Sequence, residues 1–297
     1  MQKKILNFGS LNVDYTYQVK QILKPGETQS SLDMDIFLGG KGFNQSVALA
    51  KAGVSVFHAG MIGEDGSGFL DACDEYGIDR TCIRQMSGKG GHTIIQVDEN
   101  GQNCILLYGG TNRQIDKTFV DQVLETFKEG DYLLLQNEIS ELGYIIDRAY
   151  EKGMCIILNP SPFDSHLDSC DMSKVSYFLL NEIEGEQMTG YTEPEDILQV
   201  LLEKYPKAKI VLTLGSEGSV YAEQGICVKQ PIYKVKAVDT TAAGDTFTGY
   251  FIAGLLEGLS IEDNLNRCAC ASAITVTRNG ASPSIPYKDE VELMMKR

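Results

Sequence analysis

The chain has 297 residues, 43% of them hydrophobic, and a formal net charge of −15 at pH 7 with a pI near 4.7. A chain of this length can bury a sizeable core in one large or two small domains. The acidic balance argues against binding of nucleic-acid phosphates, which normally requires a basic stripe. The sequence contains no run of about 18 apolar residues, so it predicts no membrane span.

The eight cysteines are scattered without a C-x-x-C pair, and most lie in apolar surroundings. This usage is typical of thiols in a reducing compartment and not of a disulfide framework or a zinc site. Cys268 and Cys270 are better explained as small helix residues than as metal ligands. The N-terminus enters a strand-like segment with too short an apolar core for a signal peptide. We therefore expect a cytoplasmic protein with no nucleic-acid or membrane partner.

Residues 4–8 predict an apolar strand that ends at Gly9-Ser10. Asn12 and Asp14 follow at alternate positions, so on an extended backbone their side chains point the same way. Residues 15–37 alternate irregularly around Pro25-Gly26 and predict strands and a turn outside the main domain.

A glycine-rich stretch, Gly39-Gly40-Lys41-Gly42, comes next. It is not a Walker phosphate loop, because Gly42 stands where that motif has Ser or Thr. The chain has no G-x-G-x-x-G motif either, which argues against a dinucleotide-dependent oxidoreductase. Glycines here let the backbone approach a small polar ligand. Asn44 is expected to cap a helix over residues 45–51, a role that does not exclude contact with that ligand.

After a strand (54–63), a helix (66–76) and a hairpin (93–97 and 104–108), short apolar strands alternate with amphipathic helices. The strands cover residues 132–136, 154–158, 177–180 and 210–214, and the helices cover residues 117–127, 141–152 and 194–204. This alternation predicts a parallel sheet with helices on both faces. Polar residues follow the strands: Asn137-Glu138, Asn159, Asn181 and Thr213. Because ligands bind at the carboxyl ends of such strands, one edge of the sheet is the predicted site.

Residues 238–249 carry the strongest chemical signal. An apolar strand ending with residues 235–238 runs through small residues into a helix whose apolar residues recur at a spacing of four. Ala242, Ala243 and Gly244 are too small to cover the N–H groups of the first helical turn, so a phosphoryl group could approach them. Asp245 would repel such an anion. It either caps the helix or acts as a general base toward an alcohol.

Residues 238–247 resemble the C-terminal signature of the ribokinase (PfkB-type) family of carbohydrate kinases, and residues 39–45 resemble its N-terminal signature. The similarity extends from Gly9 to Ser284. It implies a ribokinase-like three-layer α/β/α domain over residues 1–297, with a central, mostly parallel sheet. A small β-sheet lid would come from about residues 12–38 and 92–109, and such lids commonly pair two subunits into a homodimer.

The resemblance also implies an activity, the ATP-dependent phosphorylation of the primary hydroxyl of a pentose, with D-ribose favoured. Asp245 would be the base, with the amides of Ala242, Ala243 and Gly244 around the phosphoryl group. The implied sugar contacts are Asn12, Asp14, Gly40, Lys41, Gly42, Asn44, Glu138 and Asp245. The implied nucleotide contacts are Asn181, Thr213, Gly215, Ser216, Glu217, Gly218, Gly244 and Ala269.

Two metal ions are implied as well. Mg²⁺ would act near Glu184, within an Asn-x-x-Glu motif that in isolation indicates only the start of a helix. K⁺ would bind Asp239, although this carboxylate could simply cap local amides. The other implied K⁺ ligands are Thr241, Thr275, Arg278, Gly280 and Ser284.

Some residues leave the substrate open. Phe43 stands where the family often has a small residue and is expected to narrow the pocket mouth. His92 either reaches the sugar or is an exposed strand histidine. Ala269 stands where the family often has Asn or His near adenine. A ketohexose, or a nucleoside such as pseudouridine or adenosine, is an alternative acceptor. A non-catalytic sugar-binding regulator is a further alternative, which the intact Asp245 and its small neighbours disfavour.

Overall fold

Thirteen strands and nine α-helices follow one another in the computed structural model, which describes residues 3–296. Residues 1, 2 and 297 of the predicted domain lie outside this range. The strands are β1 (Ile5–Phe8), β2 (Asn12–Gln18), β3 (Asp33–Gly39), β4 (Val56–Ile62), β5 (Asp79–Gln85), β6 (Gly91–Val97), β7 (Asn103–Tyr108), β8 (Tyr132–Gln136), β9 (Cys155–Asn159), β10 (Tyr177–Asn181), β11 (Lys209–Thr213), β12 (Ser219–Glu223) and β13 (Ile226–Gln230). The helices are α1 (Lys41–Lys51), α2 (Ser67–Tyr76), α3 (Lys117–Leu124), α4 (Leu142–Glu151), α5 (Glu182–Thr189), α6 (Pro194–Lys204), α7 (Ala243–Glu257), α8 (Ile261–Thr275) and α9 (Lys288–Met295).

The larger sheet has the strand order β13-β12-β11-β10-β9-β8-β1-β4-β5. Its strands from β11 to β5 pair in parallel, β12 pairs with β11 in antiparallel fashion, and β13 pairs with β12 in antiparallel fashion. Neighbouring residues of a strand face opposite sides. Ile5 therefore packs in a core with α1, α7 and α8, and Leu6 packs in a second core with α3, α4 and α6. Helices cover both faces, which confirms the predicted three-layer α/β architecture.

The small sheet contains four strands in the order β3-β2-β6-β7. Its inner pair, β2 and β6, is parallel, and each outer strand adds in antiparallel fashion. The second sheet that the resemblance implied is therefore present. Its strands β2 and β3 leave the larger sheet directly after β1 and return at α1, so the small sheet is attached at the end of a central strand.

The chain changes direction across the larger sheet at β1. From β1 it continues to β4 and β5 on one side, and later crosses to β8 on the other side. A crevice forms outside the carboxyl ends of two strands at such a switch point, and ligands of α/β proteins bind there. The residues after β1 and β8 therefore face a common space.

Several predicted elements differ from the structure. No strand forms over residues 235–238; β13 ends at Gln230, and Pro231 has no N–H group with which to continue the ladder. Helix α1 begins at Lys41, four residues earlier than predicted, and Gly40 precedes it without a side-chain cap. Helices α8 and α9 follow α7 and complete the set of helices. Strand β5 escaped prediction because charged residues interrupt its apolar positions at the sheet edge.

Helices α1 and α7 approach each other closely. A Cβ atom built on Gly249 of α7 would lie 2.4 Å from the Cβ atom of Ala48 in α1, so only glycine allows this separation. The approach brings the first turn of α1 to the first turn of α7. Within residues 3–296, none of the helices combines the length and the apolar character that crossing a membrane requires. All eight cysteines are free, as their spacing predicted.

Candidate active site

Asp245 lies at the meeting point of α1 and α7. It is the third residue of α7 and is 9% exposed. Its Oδ2 accepts a hydrogen bond from Asn44 Nδ2 at 3.2 Å, and its Oδ1 accepts one from Gln45 Nε2 at 2.9 Å. No side chain caps α7. The capping interpretation of Asp245 is therefore wrong, because its carboxylate is bound by amide groups of another helix.

The start of α7 leaves its backbone open. Ala242 adopts a left-handed conformation with φ of 60°, which is uncommon for a residue with a Cβ atom. A Cβ atom on Gly244 would meet no atom within 4 Å, so this side of the first turn faces free space. That space is a cavity of about 230 Å³, lined by Ala242, Ala243, Gly244 and Asp245. Uncovered N–H groups at a helix start attract anions.

Lys41, the first residue of α1, also lines this cavity. Burial lowers the pKa of Lys41, but the carboxylates of Asp245, Glu138 and Glu184 raise it by more, so that its net pKa lies above the ordinary value. The ammonium group therefore stays charged at neutral pH. A fixed positive charge and open amides converge on one small space, which favours a multiply charged anion such as a phosphoryl group. Lys41 was predicted as a sugar contact, and the structure also places it in the cavity beside the start of α7.

A second cavity of about 430 Å³ continues from the first and shares Thr213, Thr240, Ala243, Gly244 and Phe247 with it. Its other walls come from the turn after β11, from α8 and from the segment after β13, which includes residues 235–238, where a strand was predicted. The residues concerned include Gly215, Ser216, Gly218, Ile232, Val235 and Ala269. Glu217 is exposed in the same turn and does not line the cavity. The mostly apolar walls suit a flat aromatic group.

Polar groups meet on the other side of Asp245, at the crevice between β1 and β8. Glu138 Oε2 accepts hydrogen bonds from the backbone N–H of Lys41 at 3.0 Å and from the Ser10 hydroxyl. Burial raises the pKa of Glu138 above its ordinary value, and the Asp245 carboxylate adds to this rise. Asn12 Oδ1 accepts a hydrogen bond from Asn112 Nδ2 at 2.7 Å.

The glycines of the N-terminal signature allow these contacts. Gly40 has φ of 89°, and a Cβ atom there would lie 3.0 Å from the backbone nitrogen of Asn12. A Cβ atom on Gly42 would lie 2.3 Å from the backbone nitrogen of Ser10. The start of α1 therefore packs directly on the chain that leaves β1. Ser10 escaped the sequence analysis, although it follows a strand in the same way as Asn137-Glu138 and could have been found by that rule.

Asp14 reaches the site from the small sheet. Its Oδ1 accepts a hydrogen bond from the Thr93 hydroxyl at 2.5 Å. The pKa of Asp14 is raised to about 6, mainly by burial; the Thr93 hydroxyl opposes this rise, and the Glu138 and Asp245 carboxylates contribute to it. Asp14, Glu138 and Asp245 therefore form one acidic group around the crevice. Hydroxyl groups of a bound molecule could donate to all three.

Three residues differ from their predicted surroundings. Phe43 is fully buried in the core against Phe69, at 5.1 Å between ring centroids, and does not narrow a pocket mouth. Asn44 does not cap α1, because the helix begins three residues before it. His92 packs between Tyr15 and Tyr108, with ring centroids 6.0 Å and 4.9 Å apart, in the small sheet. It is a half-buried histidine of strand β6 and lines neither of the two cavities.

The residues predicted to act near Mg²⁺ lie opposite the start of α7. Asn181 and Glu184 form a capping box at the start of α5, with Glu184 Oε2 accepting from the Asn181 backbone N–H at 3.0 Å. Both line the 230 Å³ cavity together with Asn159, whose buried Oδ1 has no hydrogen-bond partner among the described residues. Carboxylate and amide oxygens are the donors that Mg²⁺ prefers, so these residues fit the ion.

The residues predicted to bind K⁺ come together only in part. Asp239 accepts hydrogen bonds from the backbone N–H groups of Thr241 and Gly280, each at 2.9 Å, which is the local capping that the sequence also allowed. The Thr275 carbonyl accepts from the Arg278 N–H, and the Ser284 hydroxyl donates to Ala281. The Arg278 side chain pairs with Glu290. These residues offer carboxylate, hydroxyl and carbonyl oxygens as possible ligands, and oxygen ligands fit a hard cation.

A carboxylate between a hydroxyl-binding crevice and an anion-attracting helix start is the arrangement expected of a kinase that phosphorylates a small alcohol. Residues 2–288 match the family described as pfkB family carbohydrate kinase. The chain belongs to this family.

Known relatives agree with this assignment. The chain is 34% identical over 302 residues to a ribokinase from Haemophilus influenzae, which covers 98% of this chain and 97% of that relative. The crystal structure of a ribokinase from Thermotoga maritima matches with a TM-score of 0.89 and 32% identity over 100% of both chains. The structure of Arabidopsis thaliana ribokinase complexed with ribose and ATP matches with a TM-score of 0.88 and 28% identity, again over 100% of both chains.

The pKa of Asp14 predicts a pH-dependent effect on stability. Because the folded-state pKa of about 6 lies above the reference value of 3.8, protonated Asp14 stabilises the fold below pH 4, and this contribution is lost as the pH rises through 6. We expect Asp14→Asn to raise the free energy of unfolding at pH 7.5 by about 1–2 kcal/mol, after allowance for solvent screening, and to change little at pH 4. Denaturant unfolding at both pH values measures this difference. An equal effect at both would contradict the assignment.

Proposed function

We propose that this protein is a cytoplasmic kinase that transfers the γ-phosphoryl group of ATP to the primary hydroxyl of a pentose, with D-ribose as the acceptor. The observation that carries the proposal is the position of Asp245, which borders both the polar crevice and the cavity beside Gly244. Relatives of this chain are ribokinases, and one of them was solved with ribose and ATP.

In the proposed reaction, the sugar lies in the crevice between β1 and β8. Its hydroxyl groups donate to Asp14 and Glu138 and contact Asn12, Asn44 and the backbone around Gly40 and Gly42. The buried Oδ1 atom of Asn44 has no partner among the described residues, which supports a contact with a hydroxyl group. Carboxylates and amides bind hydroxyl groups at fixed angles, so such a crevice discriminates between sugar stereoisomers.

Asp245 acts as the general base. It accepts the proton of the primary hydroxyl while that oxygen forms a bond to the γ-phosphorus. The bond between this phosphorus and the bridging oxygen of the β-phosphate breaks, its electron pair stays with ADP, and the proton later passes from Asp245 to solvent. The N–H groups at the start of α7 and the ammonium of Lys41 bind the phosphoryl oxygens as charge shifts between them.

The nucleotide occupies the two connected cavities. Its base lies in the 430 Å³ cavity near Ala269, and its phosphates extend past Gly244 into the 230 Å³ cavity. Asn159, Asn181 and Glu184 would hold Mg²⁺ directly or through water. When bound, the ion neutralises phosphate charge and orients the terminal phosphate.

The acceptor and the cation are tested together. We expect a screen of ADP release over pentoses, ketohexoses and nucleosides to give the highest kcat/KM with D-ribose. We expect activity to fall when K⁺ is replaced by Na⁺ at constant ionic strength, because the smaller ion fits an oxygen set of fixed size less well. Preference for a nucleoside would contradict the proposal that D-ribose is the acceptor. Equal rates in K⁺ and Na⁺ would contradict only the proposed cation site at Asp239.

Asp245→Asn tests the base. The substitution keeps the size of the side chain and removes its ability to accept a proton, so kcat should fall by about 10²–10⁴-fold. Binding of ribose, measured by calorimetry without nucleotide, should change little because an amide still contacts the hydroxyl. Turnover near that of the wild type would refute the role of Asp245.

We also propose that two copies of the chain pair through the small sheet. Strand β7 is an edge strand, and all its residues are exposed, including Ile105, Leu106 and Tyr108. An exposed apolar edge strand is a surface that normally becomes covered by a partner. A second copy offers the same edge, and two such edges can pair in antiparallel fashion.

Leu106→Glu is expected to convert this dimer into a monomer, because a charge would be buried at the centre of the paired edges. Leu106 is 67% exposed in the isolated chain, and Leu293 on α9 is 58% exposed and serves as the matched control. Leu293→Glu should leave the dimer intact. Sedimentation velocity measures both, and a monomeric wild-type protein at micromolar concentration would exclude the proposal.

A further inference from the structure

A chain of buried amide side chains ends at Asp245. Gln45 on α1 donates from Nε2 to Asp245 Oδ1 at 2.9 Å, and its Oε1 accepts from Gln136 Nε2 at 2.6 Å. Gln136 Nε2 also donates to Asn7 Oδ1 at 3.0 Å. Gln45 is 1% exposed, and Gln136 and Asn7 are completely buried. These side chains connect the candidate base to β8 and β1, two neighbouring interior strands of the larger sheet.

The chain continues away from the site. Asn7 Nδ2 donates to the carbonyl of Gly42 at 2.6 Å and to the hydroxyl of Ser46 at 2.8 Å. The Ser46 hydroxyl also lies 2.8 Å from Nδ1 of His58. Burial lowers the pKa of His58 to about 4, so this imidazole is neutral at pH 7. The sequence analysis gave no function to any of these side chains.

The hydrogen bonds fix which way each amide points. A carboxylate only accepts hydrogen bonds, so Gln45 must turn its NH₂ group toward Asp245 and its oxygen toward Gln136. Gln136 must then present its own NH₂ group to Gln45 and Asn7. Its Oε1 remains buried without a partner among the described residues, which costs free energy. The opposite orientation would instead place this oxygen against Oε1 of Gln45 and Oδ1 of Asn7, and both contacts would be repulsive. The Gln45 amide is therefore held in one orientation by hydrogen bonds at both of its ends.

Asn44 provides a useful contrast. It also donates to Asp245, but its Oδ1 has no partner among the described residues, so nothing anchors Asn44 from behind. Gln45 is held at both ends of its amide. Of the two side chains within residues 3–296 that donate to the carboxylate, only Gln45 is also held by a further buried side chain.

We propose that Gln45 is a positioning residue that fixes the rotation of the Asp245 carboxylate toward the attacking hydroxyl, with Gln136 and Asn7 as its support. The proposal rests on the function of Asp245 as base. Two carboxylate rotations can bind the same sugar, but only one aligns a free lone pair with the proton that is transferred. Gln45 therefore acts on turnover and not on sugar affinity.

Gln45→Met tests this proposal, because it keeps the length of the side chain and removes both hydrogen bonds. We expect kcat to fall by about 10–100-fold, the loss that a small misplacement of a reacting group produces, while the Kd for ribose stays within about threefold of wild type. Gln45→Asn, whose amide is too short to reach Asp245, provides a second variant that retains a polar side chain. It should show the same separation between kcat and Kd.

Thr111→Val is the matched control. The Thr111 hydroxyl is fully buried and donates to the carbonyl of Met61 at 2.9 Å, outside the chain that ends at Asp245. We expect Thr111→Val to lower the melting temperature about as much as the Gln45 variants do and to leave kcat unchanged. An equal loss of kcat in this control would mean that general destabilisation explains the Gln45 variants, which would overturn the proposal.

Asp245→Asn, measured in parallel, separates the two hypotheses. If Asp245→Asn is inactive and both Gln45 variants have kcat within about twofold of wild type, the positioning role of Gln45 is refuted, whereas the role of Asp245 as base is supported. If Asp245→Asn retains wild-type turnover, the proposed base fails and the role of Gln45 fails with it.

Discussion

A carboxylate held beside uncovered peptide N–H groups sets the requirements for the rest of this molecule. The N–H groups at the start of α7 attract an anion, and Asp245 repels it, so both must be held in place by contacts that lie elsewhere. Asn44 and Gln45 supply those contacts from α1. They reach Asp245 because Gly249 lets the two helices approach each other. The packing of α1 against α7 therefore determines the position of Asp245 relative to the N–H groups.

The acidic groups around the crevice illustrate a second constraint. Burial raises the pKa of both Asp14 and Glu138, the Glu138 and Asp245 carboxylates add to the rise for Asp14, and Asp245 adds to it for Glu138. Lys41 offsets part of this repulsion, and its ammonium is shared among several carboxylates. Such an arrangement opposes folding and favours binding of groups that donate hydrogen bonds. The small sheet brings Asp14 into this cluster, so its position affects both the stability of the site and the binding of a sugar.

The sequence predicted the large parallel sheet and most of its helices, because the alternation of short apolar strands with amphipathic helices is a local pattern. The predictions were wrong where residues that fit a local pattern have different surroundings in the folded chain. Val235 and Ala237 line the wall of the 430 Å³ cavity and do not belong to a strand. Phe43 interrupts a glycine-rich signature, yet α1 turns its ring into the core. Gln45 lies within the N-terminal signature and Ser10 follows a strand, but their contacts with Asp245 and Glu138 join residues far apart in sequence and appear only in the folded chain.

The sequence by itself therefore determined the order of the elements, the sheet edge that collects polar residues and the small-residue turn before Asp245. These features depend on neighbours along the chain, where spacing and side-chain size are sufficient information. The tertiary structure decided the start of α1, the partners of Asp245 and the direction of the buried amide chain. These depend on side chains that lie far apart in sequence, such as Asn7, Gln45 and Gln136, and on hydrogen bonds whose donors and acceptors can be paired only when all of them are in place.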